Sequence, residues 1–314
     1  VSRTPAVVRA ALAALLALAS VALSGCSGEF ASVRLTIASG STGGVYSKLS
    51  TALAGAWSRD PGVPAPEVAA TAGSLDNLER LRSGRAQIGF SAADAAQSAA
   101  SGPHRLYALA RMHDDYLQVV VRGDLTATKV ADLRGLRVSL GAVDSGVKLI
   151  SERLLSAADI SPSSDLKAQY LSLDASVSAM REGELDAFFW SGGVPTDLVT
   201  DLSTSVALRM LDLGDVLPEL RERWPVYFSA TLPASAYELP GGPVTTLVVR
   251  NFLLVNDQVT DEVATALLRG MFAAQDALVA ASPVARSIEA RSAIETTPIP
   301  LHPGAVAYYR DVKV

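Results

Sequence analysis

Residues 33–57, opening with Val33-Arg34-Leu35-Thr36-Ile37-Ala38 and running on through Gly40-Ser41-Thr42-Gly43-Gly44, decide the fold. The first six residues alternate between two kinds of face, as a strand does. The glycine-rich segment is a turn. Tyr46, Leu49, Leu53 and Trp57 then recur at helical spacing. The same order repeats downstream. Pro61, Pro64 and Pro66 end the helix, and residues 68–71 form the next strand. Ser74 is placed to cap a short helix carrying Leu75, Leu78 and Leu81, and residues 87–91 are strand again. A β-α-β-α-β alternation predicts a largely parallel sheet whose ligand positions lie at the strand C-termini.

A second series follows a strand at 117–121. It comprises a strand at 137–140, a helix at 145–157, a strand at 168–171, a helix at 174–182 and a strand at 187–190. A long apolar strand at 246–255 and a helix at 260–281 close it. Two βα series joined by two long strands predict an α/β chain of two lobes. Residues 33–117 with 248–314 form lobe I, and 118–247 form lobe II, with the crossing strands as hinge. No sequence repeat accompanies the division.

The 314 residues are long enough for such an arrangement, with 49% apolar and 19% charged residues, a globular composition. A net charge of −5, with no Lys/Arg cluster among aromatics, gives no reason to expect nucleic acid. Upstream, Arg3 and Arg9 precede an apolar run from Ala10 to Leu23 that is too short to span a bilayer comfortably. Leu23-Ser24-Gly25-Cys26 ends it, small residues before the single cysteine of the chain. Residues 1–25 are therefore expected to be a lipoprotein signal peptide. Cys26 would be the lipidated residue, residues 26–32 a tether, and the protein would sit outside the cell membrane without crossing it. An ordinary secretory signal with an incidental cysteine is the alternative.

Three segments share one design, a strand ending in a Gly/Ser-rich turn that opens a helix: residues 38–44, residues 71–74 with Asn77, and residues 141–147. Such turns let backbone approach a ligand and present unpaired helix N–H groups to carboxylate or phosphate oxygens. A fourth loop, residues 190–195, also follows a strand. Lys148 is the one cation close to the third turn. His104, His113 and His302 are scattered without metal-ligand spacing and read as surface or structural residues. The chain has no G-x-S-x-G elbow, Walker loop or G-x-G-x-x-G, so nothing demands catalysis and no cofactor is implied.

With those turns placed, the chain resembles the TAXI family of receptors for TRAP transporters, within the two-lobed periplasmic-binding-protein class (type II-like). The segments that carry the resemblance are residues 35–46, Gly73-Ser74-Leu75-Asp76-Asn77-Leu78 with residues 84–90 behind it, residues 141–146, residues 183–195 and residues 301–310. Two positions depart from the family pattern: Val147 stands where Thr is common, and Gln87 where Asp is common. The resemblance implies capture of a small carboxylate or amino acid, glutamate-like, and delivery to a TRAP membrane permease. It implies ligand contacts from Gly40, Ser41, Gly44, Tyr46, Ser74, Asn77, Ser145, Gly146, Trp190 and Gly192, with Tyr46 and Trp190 as stacking walls. A monomer is expected. An orphan binding lipoprotein that feeds a sensor or another uptake system, an exported α/β enzyme and a structural envelope protein are the competing readings.

Overall fold

A computed structural model describes residues 30–98 and 102–314. The expected signal segment, Cys26 and the first part of the tether lie outside the described residues. Residues 30–32, expected as tether, are a turn instead: the Val33 amide donates to the Phe30 carbonyl at 2.9 Å, and the Phe30 ring is buried beside Leu35 and Ile37.

The chain opens with strand β1 (Thr36–Ala38), helix α1 (Val45–Arg59), β2 (Glu67–Ala69), α2 (Ser74–Ser83), β3 (Ile88–Ala92) and the short α3 (Ala93–Ser98). β1 pairs in parallel with β2 and β3, Ile37 standing opposite Val68 and Ile88. The long strand β4 (Leu106–Arg122) then leaves this half of the sheet. Next come β5 (Arg137–Ser139), α4 (Gly146–Ala157), β6 (Lys167–Gln169), α5 (Leu173–Arg181) and β7 (Ala187–Gly192). Here β5 lies between β6 and β7 in parallel, with Val138 opposite Ala168 and Ala187. Helix α6 (Asp197–Ser203), β8 (Leu208–Met210), α7 (Leu217–Arg223) and β9 (Phe228–Leu232) complete that half, and β10 (Val244–Asn256) returns. Helices α8 (Asp261–Ala273), α9 (Gln275–Ala281) and α10 (Pro303–Asp311) finish the chain.

The sheet order is β2-β1-β3-β10-β4-β7-β5-β6. Its two ends are built alike. The first-formed strand is central, its parallel partners flank it, and the inner partner meets an antiparallel crossing strand: β10 against β3, and β4 against β7. β4 and β10 pair along most of their lengths and tie the two ends together.

Two expectations need correction. The strand foreseen at 117–121 begins at Leu106, because the segment His113-Asp114-Asp115 interrupts the apolar pattern that marks a strand although its backbone is extended and paired. The helix foreseen at 260–281 breaks at Ala274, with the two pieces bent by 68°. The bend brings Leu278 into the core. Among the described residues no single helix is long and apolar enough to cross a membrane.

Three apolar clusters hold the layers together. One surrounds Ile37, Leu53, Trp57 and Leu267, where the Trp57 indole also donates to the Leu267 carbonyl at 2.8 Å. Another surrounds Phe188, Val199 and Leu202 in the second half. The largest is shared by both halves, running from Leu78 and Leu81 of α2 through Leu117 and Val119 of β4 to Ile150 and Leu154 of α4.

Candidate ligand-binding site

A cavity of about 130 Å³ opens where the C-terminal ends of the parallel strands of both halves face each other. Four helices begin on its wall. Gly44, Val45 and Tyr46 open α1, Gly73 and Ser74 open α2, Ser145 and Gly146 open α4, and Ser172 and Leu173 open α5. The first turn of any helix leaves amides without an intrahelical acceptor, and the helix dipole adds partial positive charge there. No side chain caps α1 or α2. The Ser145 hydroxyl caps α4 by accepting from the Lys148 amide at 3.1 Å.

The turns reach this geometry through local sequence. Gly141 has φ +93°, and a Cβ there would stand 2.6 Å from that of Val147. Only glycine lets the chain turn so tightly from β5 toward α4. Gly192 serves a close approach, since a Cβ on it would meet the Trp190 indole nitrogen at 2.6 Å. The two halves also touch at their turns: the Asp76 amide donates to the Asp144 carbonyl at 3.1 Å.

Of the residues the resemblance implies, Gly40, Ser41, Gly44, Tyr46 and Ser74 from the first half line the cavity. From the second half Ser145, Gly146, Trp190 and Gly192 do so. Asn77 does not. It is fully buried behind the wall, where its amide donates to the carbonyls of Ser39 at 2.6 Å and Phe90 at 2.8 Å and its oxygen accepts from the Thr71 hydroxyl at 2.6 Å. Its polar atoms pin three segments together and leave nothing for a solute. The Ser145 hydroxyl is likewise engaged, donating to the Ala142 carbonyl at 2.7 Å. What Ser145 offers the cavity is the helix start that it caps.

Tyr46 stacks on Phe90, with ring centroids 5.1 Å apart, and its hydroxyl hydrogen-bonds the Asn251 side chain. Burial, reinforced by nearby Asp115, pushes its phenol well above the ordinary range, so it remains a neutral donor. The Trp190 indole donates to the Thr196 hydroxyl at 3.0 Å, which fixes the ring as wall. Gln87 is occupied by backbone: its oxygen accepts from the Thr36 amide at 3.0 Å and its amide donates to the Gly84 carbonyl at 3.1 Å. Val147 lines the cavity and makes that part of the wall apolar.

Sequence reasoning missed the charged part of the site. Asp94 and Asp115 line the cavity, and the described lining residues include no Lys, Arg or His. Lys148 points elsewhere, to Glu152 at 3.2 Å and over the Tyr170 ring. Asp94 reaches across the halves, accepting from the Tyr227 hydroxyl at 2.7 Å, with the Arg153 guanidinium 3.9 Å away. Burial raises its pKa, opposed by that hydrogen bond and that cation. Asp115 has His113 close by, its Nε2 3.1 Å from Oδ1 but outside hydrogen-bond geometry, and acts on the Tyr46 phenol. Among the described residues no group of three or more His, Cys, Asp or Glu could hold a metal ion.

Solved structures share the fold. A protein of Bordetella bronchiseptica RB50 superposes with a TM-score of 0.53 at 18% identity, covering 88% of each chain. The regulatory domain of CcmR from Synechocystis PCC6803, solved in complex with 2-PG, gives 0.51 at 15% identity over 77% of this chain and 97% of its own. A Xanthomonas citri protein solved with ATP bound gives 0.50 at 15% identity over 90% and 96%. At these identities the likeness is one of fold: α/β, with a central sheet carrying helices. The sequence itself is more specific, for the profile of the NMT1-like family matches residues 37–312, and the chain belongs to that family.

Proposed function

We propose that the protein is an extracytoplasmic solute receptor that closes two lobes, 33–117 with 248–314 and 118–247, around a small carboxylate-bearing solute. The observation that carries this reading is the convergence of four helix N-termini, two from each half of the sheet, on one cavity. Amides in that arrangement bind carboxylate oxygens without a basic side chain. An engineered apolar cavity of about 150 Å³ holds benzene, so a cavity of about 130 Å³ suits a solute of similar size. In this reading Cys26 anchors the receptor to the outer face of the membrane, and the closed form hands its solute to a membrane permease of the TRAP type. β4 and β10, the two strands that join the halves, act as the hinge.

Thermal melts of the purified protein against amino acids, monocarboxylates and dicarboxylates test the receptor reading. A ligand at a hundredfold excess over its Kd adds about 2.7 kcal/mol to stability, a plainly visible shift in Tm. A flat response over the whole panel would reject it. The anchor has its own test: labelling with radioactive palmitate in cells, which Cys26→Ala should abolish.

A further inference from the structure

Asp115 sits where the two halves of the sheet join. It is opposite Val249 of β10, and its neighbour Tyr116 is opposite Gly192 of β7. The residue is only 6% exposed, lines the cavity, and its Oδ1 has no hydrogen-bond partner among the described residues. The groups packed nearest are His113, which shares its face of β4 and approaches off-line, and the Tyr46 ring, whose hydroxyl is directed to Asn251. A carboxylate that deep is costly unless donors reach it. Asp94 differs, because Tyr227 and Arg153 already serve it.

We infer that Asp115 takes a protonated amine of the solute. This rests on the receptor reading above. An ammonium group has three donors and a positive charge, and can supply the hydrogen bond that His113, approaching off-line, does not give Oδ1. The solute's carboxylate would then lie against the helix N-termini. The solute class follows from the balance of charge: one amine and one carboxylate, a zwitterion without net negative charge. A second carboxylate, as in glutamate or a dicarboxylate, would add an acidic group to a wall that already carries Asp94 and Asp115, with no Lys, Arg or His among the described lining residues to offset it.

Titration calorimetry on the purified protein decides the matter with matched probes: the twenty L-amino acids, and for each binder the same acid without its amine, with glutarate as the counterpart of glutamate. The expected result is that a neutral amino acid binds at least about tenfold tighter than its amine-free counterpart, and that Asp115→Asn removes this margin. An amine-free acid binding as tightly, glutamate or glutarate as the best ligand, or a margin that survives Asp115→Asn would each overturn the inference while leaving the receptor reading in place. Absence of binding by every amino acid would overturn the inference too, and the receptor reading falls with it only if the mono- and dicarboxylates of the melting panel also fail to bind. The comparison of paired ligands on the unaltered protein holds even if the variant folds poorly.

Discussion

Asn77 was legible in the sequence as a polar residue three positions after Ser74, but its job was not. Its partners are carbonyls 38 and 13 residues away, which no local pattern encodes. Because it pins Ser39, Phe90 and Thr71, Asn77→Ala leaves buried polar groups without a partner, at a cost of about 2–4 kcal/mol. Thermal melts should show a drop of several degrees, while any ligand affinity retained by the folded fraction stays close to that of the parent. Asp186 makes a second prediction at this scale. Hydrogen bonds from the Arg137 guanidinium and backbone amide hold its carboxyl below the usual range against the opposing effect of burial. A depressed carboxylate contributes stability that is complete above the unfolded pKa of about 3.9 and is lost as pH falls through the folded value. Asp186→Asn should therefore lower Tm at neutral pH yet lose less than the parent between about pH 5 and pH 2. Parallel melts over that range check it, and equal acid sensitivity would show that the pair contributes nothing.

At the scale of the element, turns were easier to read than strands. Glycine carries its own signal, and Gly141 is an instance: its positive φ and the packing of Val147 against the site of its missing Cβ are both required by the turn into α4. Gly141→Ala adds left-handed backbone strain of about 1–2 kcal/mol and an overpacking cost of about 1–3 kcal/mol. Both Tm and solute affinity should fall, since relieving the clash moves the Ser145–Gly146 helix start. A variant with lowered Tm but unchanged affinity would show that the turn only stabilises the fold. The first part of β4 stayed hidden because a strand is recognised by its apolar face, and His113 and Asp115 place buried polar groups on that face instead, Asp115 at the cavity. The residues that obscured the strand are the ones on which the amine inference rests. The break at Ala274 was illegible for the opposite reason: Ala273-Ala274-Gln275 contains neither glycine nor proline to mark it, and the bend shows only in the tertiary structure, where Leu278 is buried.

At the scale of the whole molecule, two βα series and two long strands were enough to foresee a sheet with two similar ends, because each series carries its own periodicity. The contacts between the ends were not foreseeable, since they join residues with no sequence relation. Lys48 of α1 meets Asp197 at the start of α6 at 2.6 Å, and Tyr227 and Arg153 of the second half meet Asp94 of the first. The exposed Lys48–Asp197 pair is worth little in water. The Tyr227–Asp94 bond is buried, and burial keeps the Tyr227 phenol protonated as a donor. Removing the donor leaves a buried Asp94 oxygen short of a partner, at a cost of about 1–3 kcal/mol, here to the joined arrangement alone. Tyr227 does not itself line the cavity, and in Tyr227→Phe the Arg153 guanidinium still faces its partner Asp94 on the wall. If closure is coupled to binding, destabilising the closed form reduces affinity by the fraction of closed protein lost, about tenfold or more. The variant should bind any established ligand at least tenfold more weakly, and small-angle scattering should show that more ligand is needed to reach the compact form. Unchanged affinity in a well-folded Tyr227→Phe protein would mean that the halves are joined with or without ligand, and that β4 and β10 brace the molecule instead of letting it move.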